Sequence, residues 1–90
     1  MTQVAQVIEM KLRAAFSPSK LELRDESARH AGHAHGGQET HFDLAIESAA
    51  FAPLGRLARQ RAVMQVLADE LAGSVHALSI RASAPGETPY

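Results

Sequence analysis

The chain reads as an α+β domain, a two-layer sandwich of order helix-strand-strand-helix-strand on a three-stranded mixed sheet. Apolar spacing predicts it in two ways. Segments 3–16 and 54–72 repeat apolar residues every three to four positions, the period of an amphipathic helix. Segments 20–25, 40–48 and 75–82 alternate apolar and polar residues, the period of a strand buried on one face. Length is the third observation, because 90 residues support one core and one domain.

In the first helix Val4, Ile8 and Leu12 recur at i+4, flanked by Val7 and Phe16, while Gln3, Gln6, Glu9 and Arg13 take the other faces. Thr2 is the expected N-cap. Pro18 ends the element, since the residue before a proline is driven out of the α region. The first strand sets Leu21 and Leu23 opposite Glu22 and Arg24. The second turns Phe42, Leu44 and Ile46 inward and His41, Asp43 and Glu47 outward. Residues 26–38 join the two, which predicts an antiparallel pair.

Pro53 is expected to open the long helix and Gly73 to cap it. Its stripe is Leu57, Gln60, Met64, Leu67 and Leu71 with Val63 beside it, and Gln60 is an anomalous polar member. In the third strand His76, Leu78 and Ile80 oppose Ala77, Ser79 and Arg81. A crossover through a helix usually joins parallel strands right-handedly. Residues 1–82 thus form a single domain, and 83–90, with its Pro and Gly, a loose C-terminal tail.

Composition removes several function classes. The apolar share of 46% and charged share of 21% suit a globular domain rather than a disordered tail. A net charge of −1 creates no field that draws the whole molecule to nucleic acid or an acidic membrane. No apolar run is long enough to span a bilayer, and Gln3, Gln6 and Glu9 interrupt any signal-peptide core, so the expected location is cytoplasmic. With no cysteine, the chain has neither a disulfide nor a thiolate ligand of its own. Phosphate-binding, dinucleotide-binding and nucleophile-elbow motifs are missing too, and the chain is not expected to be an enzyme.

Four of the five histidines, His30, His33, His35 and His41, crowd the connection between the first two strands and its edge. Imidazole is the commonest neutral ligand for borderline metals. Three readings compete: a solvated loop, a self-sufficient zinc site, and a site shared with a partner. The spacing lacks a helical pair and a completing acid or Cys, which favours the shared site. His76 is either a half-core histidine in phase with Leu78 and Ile80, or a ligand at the mouth of its strand. Arg56, Arg59 and Arg61 form either a solvated helix face or a contact for a phosphate backbone. No aromatic residue interleaves them, so no stacking platform accompanies that patch.

In order along the chain, Leu21-Glu22-Leu23-Arg24-Asp25-Glu26-Ser27, Glu39-Thr40-His41-Phe42, Phe51, Arg59-x-Arg61, Leu71 and Val75-His76-Ala77-Leu78-Ser79-Ile80 resemble the BolA family from about residue 5 to 82. The resemblance implies a fold related to the class II KH arrangement. It also implies pairing with a monothiol glutaredoxin around a [2Fe–2S] cluster, with His76 as one iron ligand and a loop residue as the second. Lacking Cys, this chain resembles the histidine-loop subtype, with thiolates supplied by the glutaredoxin and glutathione and no cluster expected in the isolated chain. Histidine ligation of one iron raises the cluster potential, as in Rieske centres. Counting from Asp25 favours His30 as the loop ligand, and counting back from Glu39 favours His33; His35 and then His41 follow.

Two departures stand out. Gln60 occupies the place of the His usual in the family's Arg-His-Arg, and the usual Trp-bearing extension after the third strand is absent. The same resemblance carries a second reading, a DNA-binding transcriptional regulator acting through Arg56, Arg59 and Arg61. It also admits a homodimer of cluster-free chains.

Overall fold

The computed structural model describes residues 3–26, 41–73 and 75–87. Helix α1 spans Gln3–Phe16 and strand β1 Lys20–Asp25; β2 runs His41–Glu47, followed by a short 3-10 turn at Ala49–Phe51. Helices α2 (Arg56–Val66) and α3 (Ala68–Ala72) lead to β3 (Ala77–Ser83). The sheet order is β1-β2-β3, with β1 antiparallel and β3 parallel to β2. The α+β class, the mixed sheet and the pairing directions are as the sequence predicts. No helix among the described residues is long and apolar enough to cross a membrane.

In α1 the buried residues are Ala5, Ile8 and Leu12, with Val4, Val7 and Phe16 half-buried along the same stripe. The helix stops where Ser17 turns to φ 45°, its N–H donating to the Arg13 carbonyl at 3.0 Å, and Pro18 prevents continuation. Thr2 lies outside the described residues. Central β2 buries Phe42, Leu44 and Ile46 completely, whereas Leu21 and Leu23 on β1 and Leu78 and Ile80 on β3 are half-buried. The helical layer therefore covers the middle of the sheet better than its edges.

The second helical region differs from expectation in three ways. It starts at Arg56 behind an extended Gly55, not at Pro53, because the 3-10 turn capped by Ser48 uses residues 49–51 first. It is also broken at Leu67 (φ −101°, ψ 22°), yet Leu67 N–H still bonds to Val63 O at 3.1 Å and Leu71 N–H to Leu67 O at 2.9 Å. The break is a kink, and it drives buried Leu67 into the core. Finally, the buried face is Val63 and Leu67 with Val66 and Leu71 beside them, while Leu57 is 60% and Met64 43% exposed. Gln60 is exposed, so its polarity needs no special account.

Gly73 does end α3, as expected, and the chain returns to the core at Val75, whose N–H donates to Glu70 O at 2.9 Å. Lys11 joins α1 to α3 through Glu70 at 2.8 Å, and that carboxylate raises the Lys11 pKa. The tail is not loose as far as Glu87: Ala84 is buried, and Glu87 is bonded through both its backbone and its carboxylate.

Candidate functional site

Sheet geometry brings His41 and His76 to one end of the sheet. Asp25, where β1 finishes, pairs with Phe42, and His41, where β2 starts, pairs with Ala77, where β3 starts. The segment 27–40 is therefore attached, at both of its ends, beside the entrance to β3. Glu26 N–H donates to the His41 carbonyl at 2.8 Å, closing the ladder at this end. A shallow concavity here is walled by Arg24, Glu26, His41, Asp43, Ala77 and Ser79.

His76 stands one residue before β3 and is exposed. Its position follows from its neighbour: Val75 is 2% exposed and hydrogen-bonded to α3, so the backbone is anchored just where the imidazole emerges. The half-core reading of His76 is thus corrected, because the core position is Val75 and the ring faces solvent. His41 is half-buried in phase with Asp43, whereas His76 precedes the opposite phase, that of Leu78. The two share an end of the sheet. His30, His33 and His35 lie outside the described residues.

Among the described residues no three His, Asp or Glu side chains form a group that could hold a metal ion. The chain holds no cysteine either. An iron–sulfur cluster normally takes thiolates, so the donors found here fit one part of a shared coordination shell and not a whole one. An exposed imidazole on a pinned backbone suits that part.

The three arginines separate. Arg59 is turned inward, its side chain 12% exposed. Nε donates to the carbonyls of Phe51 at 3.0 Å and Leu54 at 2.9 Å, and Nη1 reaches Ala82 O at 3.4 Å. Nη1 and Nη2 also grip the Glu87 carboxylate at 2.6 and 2.7 Å. Arg59 holds the Glu87 carboxyl down to a pKa of about 2, helped by the Ala84 N–H. Arg56 and Arg61 are exposed. Sequence reasoning missed the Arg59–Glu87 pair, which joins residues 28 apart that carry no local signal for each other.

Comparison with known proteins follows the same lines. The family profile described as BolA-like protein matches residues 12–87. This chain belongs to the BolA family. BolA-like protein 1 of Mus musculus is 48% identical over 84 residues, covering 93% of this chain, which spans 60% of that relative's length. A Haemophilus influenzae relative named DNA-binding transcriptional regulator BolA is 36% identical over 93% of this chain and 80% of its own. The structure of BolA1 from Arabidopsis thaliana superposes with a TM-score of 0.89 at 36% identity, covering 99% of each chain. The BolA domain of SufE1 from the same plant gives 0.86 at 39% identity, over 98% of this chain and 99% of that one.

Proposed function

We propose that this chain is a non-enzymatic adaptor that pairs with a monothiol glutaredoxin and contributes imidazoles to a [2Fe–2S] cluster between them. The observation that carries the reading is His76, exposed on an anchored backbone beside the attachment points of the segment that bears His30 and His33. His76 is the ligand from the sheet. His30 is the preferred ligand from the segment, and His33 the alternative. The absence of cysteine assigns the thiolates to the glutaredoxin and to glutathione. When bound, the cluster supplies electron-accepting iron of raised potential. The chain's own part is to present neutral imidazoles and to exclude competing thiol ligands of its own.

The test is to add the protein to cluster-loaded monothiol glutaredoxin and follow visible absorption and circular dichroism. A new spectrum is expected, lost in His76→Ala, with His30→Ala and His33→Ala separating the loop ligands. A spectrum unchanged by the wild-type chain overturns the reading.

A second reading, a DNA-binding regulator, draws support from the name of the Haemophilus influenzae relative and from exposed Arg56 and Arg61 on α2. Arg59 is bound within the fold, so its replacement would confuse folding with binding. Under this reading duplex binding is salt-dependent and weakens in Arg61→Ala. No duplex binding at low salt would remove it.

A further inference from the structure

The outer edge of β3 differs from the outer edge of β1. On β1 the side chains of Lys20, Glu22 and Arg24 line the open face, the kind of charged cover that discourages strand pairing. On β3 the corresponding side chains begin with Ala77 and Ser79, too small to shield a backbone.

Backbone polarity can be assigned along β3. Ser48 N–H donates to the Ser83 carbonyl at 2.9 Å, so that carbonyl faces β2. Backbone groups of successive strand residues alternate between the two edges, which points those of Leu78, Ile80 and Ala82 away from β2. Ala82 is closed by Arg59, and beyond it Glu87 accepts from Ala84 N–H at 3.0 Å. That leaves Leu78 and Ile80 as the open part of the edge among the described residues.

Beside this edge runs a groove walled by Arg56 and Gln60 of α2 and by Ile80, Arg81 and Ala82 of β3. Among the described residues no carboxylate lines it. Glu87 is engaged by Arg59, and Arg81 keeps its side chain 45% exposed while bonding Asp43 at 3.1 Å. A guanidinium has donors for a second carboxylate. Half-buried Ile80 supplies an apolar part of the groove wall, and Leu78 is half-buried two residues before it on the same strand.

We propose that the outer edge of β3 at Leu78 and Ile80 accepts an extended acidic peptide segment as a fourth strand. Main-chain bonds to the two residues give affinity, and carboxylates meeting Arg56 on the helical side and Arg81 on the open side give selectivity. The Arg59–Glu87 pair stops the added strand at Ala82. This inference stands apart from the cluster reading and needs no metal.

The experiment titrates the metal-free, isotope-labelled protein with three capped peptides: alternating glutamate and valine, alternating lysine and valine, and the acidic peptide N-methylated at alternate backbone positions. The acidic peptide is expected to shift the amide resonances of Leu78 and Ile80, the lysine peptide to leave them unchanged, and N-methylation to abolish binding. Arg56→Glu should weaken binding by roughly tenfold or more, as truncating charge complementarity does. An acid in the first turn of a helix is favoured, and the amide spectrum of the variant, compared with that of the wild-type chain, checks that it is folded. Equal binding of both charges, or shifts confined to side chains with the two amides unmoved, overturns the proposal. So does a peptide-free dimer closed through β3, or a response of Arg56 to duplex DNA but not to the acidic peptide.

Discussion

Where β2 and β3 finish, polar groups tie neighbouring elements together. Ser48, 1% exposed, donates to the Phe16 carbonyl at 2.6 Å and accepts from Ala50 N–H at 3.1 Å. Phe16 and Phe51 rings lie 4.9 Å apart, and Arg59 binds two turn carbonyls and Glu87. Ser19 reaches Glu47 at 2.7 Å. At the opposite end Glu26 meets the His41 carbonyl, and His76 projects from a backbone held by Val75. The first end is fastened by side chains whose partners are inside the molecule. The second keeps its imidazole turned outward. Stability and candidate chemistry are thus lodged at opposite ends of one sheet, and substitutions at each end should be separable.

The largest effect should come from Phe51→Ala. Phe51 is fully buried, and the loss of its transfer energy plus the cavity left behind should cost about 3–5 kcal/mol by denaturant unfolding. If the protein still folds at low temperature, its response to cluster-loaded glutaredoxin should persist. Next is Arg59→Ala, which leaves the Phe51 and Leu54 carbonyls without their charged donor and should cost about 2–3 kcal/mol. Arg59→Lys should recover little, because a single ammonium cannot reproduce the fork.

A smaller, pH-dependent effect belongs to Glu87. Its folded pKa is lowered from 4.5 to about 2, so its contribution is present above pH 4.5 and fades as the pH falls toward 2. In Glu87→Gln that part of the acid limb should flatten, which stability measured across this window would show; an unchanged limb would mean the pair is not formed in solution. The smallest stability effect should be that of His76→Ala, within about 0.5 kcal/mol, since the side chain is exposed. The same substitution should abolish the spectral response to the glutaredoxin. A large loss of stability here would break the separation between the two ends.

Much of the fold was legible because strands and their directions depend on local patterns. The alternation in Phe42-Asp43-Leu44-Ala45-Ile46 marks a central strand, and the helical connection after it marks a parallel return. The phase of α2 was not legible. Leu57, Gln60 and Met64 make an i, i+3, i+7 series, and Arg59, Val63 and Val66 an i, i+4, i+7 series; both fit a helix of period 3.6. Only packing against the sheet chose the second. His76 was placed at a strand entrance, but whether it or Val75 would enter the core turned on where β3 begins, which is Ala77 and not Val75.

By itself, the sequence determined the order of elements, the absence of thiol ligands and the concentration of histidines beside one connection. Those depend on composition and on neighbours a few residues apart. Tertiary structure alone decided that Arg59 faces inward to meet Glu87, that Leu57 and Met64 stay outside, and that His76 faces solvent. Each of these is a competition between partners distant in the chain, settled by which face the sheet covers and by the cost of leaving a buried polar group unpaired.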